Sequence, residues 1–108
     1  MEEQIDKDWK LKLRYGKLQT PFQHFTVLAE GIVGDLEEGF SCPTGSAWMG
    51  MKVWATDSEE AADMIQVIGE NIGFTVIGKI EVYSTEPVQP PSENPHGYDI
   101  QFTPYKED

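Results

Sequence analysis

Residues 47–86 read AWMGMKVWATDSEEAADMIQVIGENIGFTVIGKIEVYSTE, and two changes of period inside this stretch decide the fold. From Ala47 to Ala55 the odd positions Ala47, Met49, Met51, Val53 and Ala55 are all apolar, while Trp48, Gly50, Lys52 and Trp54 between them are mixed. A period of two with one clean face marks a strand buried on one side. After Asp57 the apolar residues Ala61, Met64, Ile65, Ile68 and Ile72 recur at three- and four-residue steps, which gathers them on one stripe of a helix. From Phe74 the period of two returns, with Phe74, Val76, Ile80 and Val82 on one face and Thr75, Lys79, Glu81 and Tyr83 on the other. Gly78 marks a bulge or a close approach in that strand.

The helix carries its own limits. Thr56 with Glu59, or Asp57 with Glu60, has the spacing of a capping box, in which side chain and backbone satisfy each other's free N–H groups. Glu59, Glu60 and Asp63 fall where the positive end of the helix dipole favours carboxylates. Gly73 supplies the stop, because a left-handed residue just past the last turn costs glycine little.

Outward from this unit the signals weaken. Trp9, Leu11, Leu13 and Tyr15 alternate with Lys10, Lys12 and Arg14, which predicts a first strand ended by Gly16. Residues 17–21 then form a short connection, and Phe22 to Val33 reads as a second strand, with Phe25, Val27 and Ala29 facing one way and His24, Thr26, Leu28 and Glu30 the other. The short link predicts an antiparallel hairpin between these two. Residues 34–46, GDLEEGFSCPTGS, follow neither period and form a long loop. Residues 86–96, EPVQPPSENPH, hold four prolines and read as stiff, extended chain. Tyr98, Ile100 and Phe102 alternate with Asp99, Gln101 and Thr103 in a last strand. The first eight and last three residues are expected to fray.

These elements give the order β-β-β-α-β-β in a single α+β domain. The expected architecture is a mostly antiparallel sheet of four or five strands with one helix packed on one face. The other face is expected to stay partly open and to present Trp48, Trp54 and Tyr83 as a contact surface. A chain of 108 residues is long enough for one core and not for two.

Charge narrows the function classes. The net charge is −11, and it is unevenly spread. Residues 1–17 hold five bases against four acids, whereas residues 18–108 hold three bases against fifteen acids. Such a surface repels phosphate backbones and attracts basic partners. No run of about 18 apolar residues exists and the N-terminus MEEQIDKD is acidic, so neither a membrane span nor a secretion signal is expected. The lone Cys42 forbids an internal disulfide and fits a reducing cytoplasm.

Chemistry is harder to find. The chain has no phosphate-binding GxxxxGK[ST], no GxGxxG, no HExxH, no CxxC and no GxSxG. His24, on the polar face of a strand, and His96, in the proline segment, read as plain surface residues. Cys42 lacks a neighbouring base that would activate it. Asp35, Glu37 and Glu38 lack the ligand spacing of a calcium loop and read as a solvated acidic turn. No catalytic residue, metal or cofactor is assigned. The residues expected to make contacts are Asp35, Glu37, Glu38, Trp48, Trp54 and Tyr83, together with Tyr98 and Asp99 at a junction of loop and sheet.

The function this favours is a small acidic intracellular binding protein, in its concrete form an immunity or inhibitor protein that covers the cationic site of a toxin. The expected partner is a basic protein and not nucleic acid or membrane. The alternative is a small α+β enzyme or ligand-binding domain using carboxylates and a histidine. A homodimer formed through the open sheet face is a third, structural expectation.

Overall fold

The computed structural model describes residues 8–16 and 18–105. The elements are α1 (Trp9–Arg14), β1 (Gln23–Val33), β2 (Gly45–Ala55), α2 (Ser58–Ile72), β3 (Phe74–Ser84) and β4 (His96–Pro104). The four strands form one sheet in the order β3-β1-β2-β4, and every neighbouring pair is antiparallel. Strands β2 and β3, both antiparallel to β1, therefore run parallel to each other, and α2 connects them by crossing over β1.

The central unit forms as its periodicity requires. The five odd residues from Ala47 to Ala55 in β2 are all buried, and they pack with Phe25, Val27, Ala29 and Val33 of β1 against Ala61, Ile65 and Ile72 of α2. Met64 and Ile68 complete the helix stripe from partly buried positions. At the start of α2 the Asp57 carboxylate accepts the Glu60 backbone N–H at 2.8 Å. Glu60 in turn accepts the backbone N–H of Thr56 at 2.7 Å and its hydroxyl at 3.0 Å. The Asp57–Glu60 box is thus the one used, with its return arm one residue further back. Gly73 adopts φ 109°, and its N–H closes onto the Gly69 carbonyl at 3.0 Å.

The bulge expected at Gly78 is present. Between Ala29 and Gly31 strand β1 advances by one residue, Glu30, while β3 passes Ile77, Gly78 and Lys79. The Glu30 carboxylate enters the gap and accepts the Lys79 N–H at 3.1 Å. A Cβ on residue 78 would lie 3.0 Å from the Glu30 side chain, so a larger residue there would have to push Glu30 aside by a few tenths of an ångström.

The predicted first strand is a correction. Residues 9–14 form a short helix, so the order is α-β-β-α-β-β and the sheet has four strands. Two physical reasons overturn the hairpin with β1. Both edges of β1 are already taken, by β2 and β3, so no position remains for a preceding strand. Over six residues the alternation is also compatible with a helix: Trp9 is buried and Leu13 half-buried four residues later, while Leu11 and Tyr15 are 51% and 71% exposed. Lys12 and Arg14 in the last turn suit the negative end of the helix dipole. Residue Asp8, expected to fray, begins this helix, its carbonyl accepting the Lys12 N–H at 2.9 Å. The remaining residues expected to fray, 1–7 and 106–108, lie outside the described residues.

Candidate functional site

The side of the sheet away from α2 carries two different surfaces. Its far end is closed by residues 85–95, which run from the outer strand β3 to the opposite outer strand β4. His24 and Trp54 are register partners on β1 and β2, and their side chains lie under this strap with 7% and 2% exposure. The Trp54 indole N–H donates to the Gln89 carbonyl at 2.9 Å. The Tyr98 hydroxyl oxygen accepts the backbone N–H groups of Val88 at 3.1 Å and Gln89 at 3.3 Å. It also lies 2.6 Å from Nε2 of His24.

This network assigns the proton positions. The Tyr98 oxygen already receives two N–H groups, so its own proton goes to Nε2 of His24, which accepts. The imidazole hydrogen is therefore on Nδ1, which donates toward the Thr85 carbonyl and hydroxyl, both at 3.1 Å. Burial pushes the His24 pKa below its ordinary value. The bond to the Thr85 carbonyl opposes this, the positive charges of Lys52 and His96 reinforce it, and Glu86 opposes it weakly. His24, buried under the strap with both ring nitrogens bonded within the protein, acts as a latch between β1, β4 and the strap.

These positions correct three expectations. His24 is buried and not a plain surface residue. Trp54 is also buried and so leaves the exposed aromatic patch, and Tyr98, expected to make contacts at the junction of loop and sheet, is buried beside it. The reason is the strap: its length and prolines were visible, but not that it folds back over the end of the sheet. Beside it, α1 and the following segment leave an open cleft of about 540 Å³, walled by Leu13, Leu18, Phe22 and Pro87 and floored by His24 and Trp54. His96, at the end of the strap, has Nδ1 3.1 Å from the Ser92 hydroxyl.

The rest of this face is open. Trp48 is half-buried there and Tyr83 is 47% exposed, its hydroxyl donating to Glu81, which raises the Tyr83 pKa. Leu28 lies over Gly50 at the centre. Asp99 sits in a second bulge, opposite Met51, at φ 54°, a left-handed conformation that aspartate tolerates better than most residues. Its carboxylate bonds Lys52 and accepts Gln101 Nε2 at 3.3 Å, and the Lys52 bond holds its pKa below the usual carboxylate range.

Asp35, Glu37 and Glu38 gather elsewhere, in the β1–β2 loop. That loop is anchored: Gly34 N–H donates to the Gly73 carbonyl at 2.8 Å, Glu37 N–H to the Ile72 carbonyl at 2.9 Å, and Leu36, Phe40 and Cys42 pack on the core. All three carboxylate residues are exposed. The backbone of this loop lies against the C-terminal end of α2, whose last turn holds no base and includes the exposed Glu70. This is the negative end of the helix dipole, where stability favours lysine or arginine. The acids at the N-terminal end of α2 serve the cap and the dipole; those at the C-terminal end serve neither.

Among the described residues no group of three His, Cys, Asp or Glu side chains is placed to hold a metal ion, and no helix is long and apolar enough to cross a membrane. No family model, curated protein or solved structure matches the chain, so a functional reading has to stand on the charge and geometry of its own surfaces.

Proposed function

We propose that this protein is a non-catalytic binding protein that meets a basic protein through the acidic surface at the C-terminal end of α2 and the β1–β2 loop. The observation that carries this reading is the exposed group Asp35, Glu37, Glu38 and Glu70, whose supporting backbone is joined at the C-terminal end of α2, the end where the dipole favours bases. Exposed acids without bases at this end of the helix gain nothing from the dipole and suit an external cation. The loop that bears them is tied to the helix by two backbone hydrogen bonds, so the acids are presented on a pre-ordered support and little ordering entropy is lost on contact. A cationic nuclease-type toxin, whose active site is built to receive phosphates, is the partner class that such a surface fits best, and the protein would then act as its inhibitor or immunity protein.

The test is affinity capture with the full chain, identification of the captured protein, and calorimetry of the purified pair. Binding is expected to weaken steeply with salt and to fall by about tenfold or more when Glu37 and Glu38 are both changed to glutamine. Affinity that survives neutralising Asp35, Glu37, Glu38 and Glu70 together would remove this reading.

A ligand-binding reading draws on the cleft under Pro87, whose size falls in the range of small-ligand sites. It has less support, because both nitrogens of the only histidine lining it are already bonded within the protein.

A further inference from the structure

The open part of the sheet face differs from the rest of the surface in charge. Within residues 18–105 the strands carry Lys52, Lys79, Glu30, Glu81 and Asp99, two bases against three acids. The helix α2 and the connections in the same range carry ten acids and no base. The strand acids are also already engaged: Asp99 by Lys52, Glu81 by the Tyr83 hydroxyl, and Glu30 by the Lys79 N–H. Leu28, Ile32, Trp48 and Ile77 give the same face apolar area, with Ile77 65% and Ile32 37% exposed.

We infer that this sheet face is where a second copy of the chain docks, forming a twofold dimer with the two α2 layers outermost. Two bodies of the same strong negative charge can approach only through the region where that charge is cancelled, and the strands provide it. Away from its axis a twofold contact places residue i of one copy against residue j of the other and vice versa, so Lys79 on this face can meet a carboxylate of the other copy. A basic partner, by contrast, is drawn to α2, its N-cap and the β1–β2 loop, which hold eight of those ten acids, while Glu86 and Glu93 lie on the strap at the margin of the sheet face. Outside the strap-covered end, about seven residues of each of the four strands present on the order of 300 Å² in projection at ~3.3 Å per residue and ~4.8 Å between strands. That is below the roughly 800 Å² per partner of ordinary stable interfaces, so the contact belongs with weak, concentration-dependent dimers.

The inference is tested by sedimentation and light scattering of the full chain across a concentration series, at low and at moderate salt. A species of twice the 12.2 kDa chain mass is expected, and its dissociation constant should tighten by on the order of tenfold as salt rises and screens the outer carboxylates. That sign is opposite to the one expected for the basic partner, so failure of either reading leaves the other standing. Ile77→Glu and Ile32→Glu should each weaken the dimer by at least about tenfold. Val67→Glu, at a 57% exposed position of α2, should leave it unchanged, with far-UV circular dichroism confirming the fold of all three. A monomer at every concentration and salt would overturn the inference. So would a dimer that Val67→Glu breaks and the two sheet variants leave intact.

Discussion

Tyr98 is the residue on which the strap depends. Its oxygen accepts two backbone N–H groups and its proton engages His24, so Tyr98→Phe leaves two part-buried donors and one buried ring nitrogen without that partner. The expected loss is about 1–3 kcal/mol in urea unfolding, the cost of orphaned buried polar groups. His24 gives a pH dependence. Its folded pKa lies below the ordinary 6.5, so between those two values the unfolded chain binds more protons than the folded one. The stability that His24 supports is complete above pH 6.5, falls as pH drops from there toward the lowered pKa, and levels off below it. Thermal midpoints recorded from pH 8 to pH 5 should show this decline in the native protein, and His24→Gln should flatten it. Little of this was readable in the chain. The junction of loop and sheet at Tyr98 and Asp99 stood out, yet the partners of Tyr98 include a histidine 74 positions earlier, and no local pattern encodes that pairing.

At the scale of elements, α2 was readable because several independent signals agree: stripe, cap and terminal glycine. α1 was not, since six residues cannot separate a period of two from one of 3.6, and only the occupied edges of β1 exclude the strand. The cap predicts that Asp57→Ala costs about 1 kcal/mol of stability. Ile65, fully buried between helix and sheet, predicts a loss of about 2–5 kcal/mol on truncation to alanine. The other end of α2 predicts the reverse. Glu70→Lys should raise stability by about 0.3–1 kcal/mol, because it places a cation at the negative end of the dipole, while weakening the basic partner. Chemical denaturation and binding measured on the same variant would show the two effects moving in opposite directions.

Across the whole molecule, the uneven spread of charge could be counted from the chain, but not that the backbone of the β1–β2 loop lies against the end of α2, since that depends on the loop folding back to residues 72 and 73. Self-repulsion of a body at −11 predicts that the thermal midpoint rises with added salt, which differential scanning calorimetry would record. The strap also has a temporal meaning. Until residues 85–104 leave the ribosome, the outer edge of β2 has no strand beside it, and Trp54 and His24 have no cover. A nascent chain halted near residue 84 would expose a long, unguarded edge with an uncovered tryptophan beside it, and would be prone to stick to its neighbours in a way the finished chain is not.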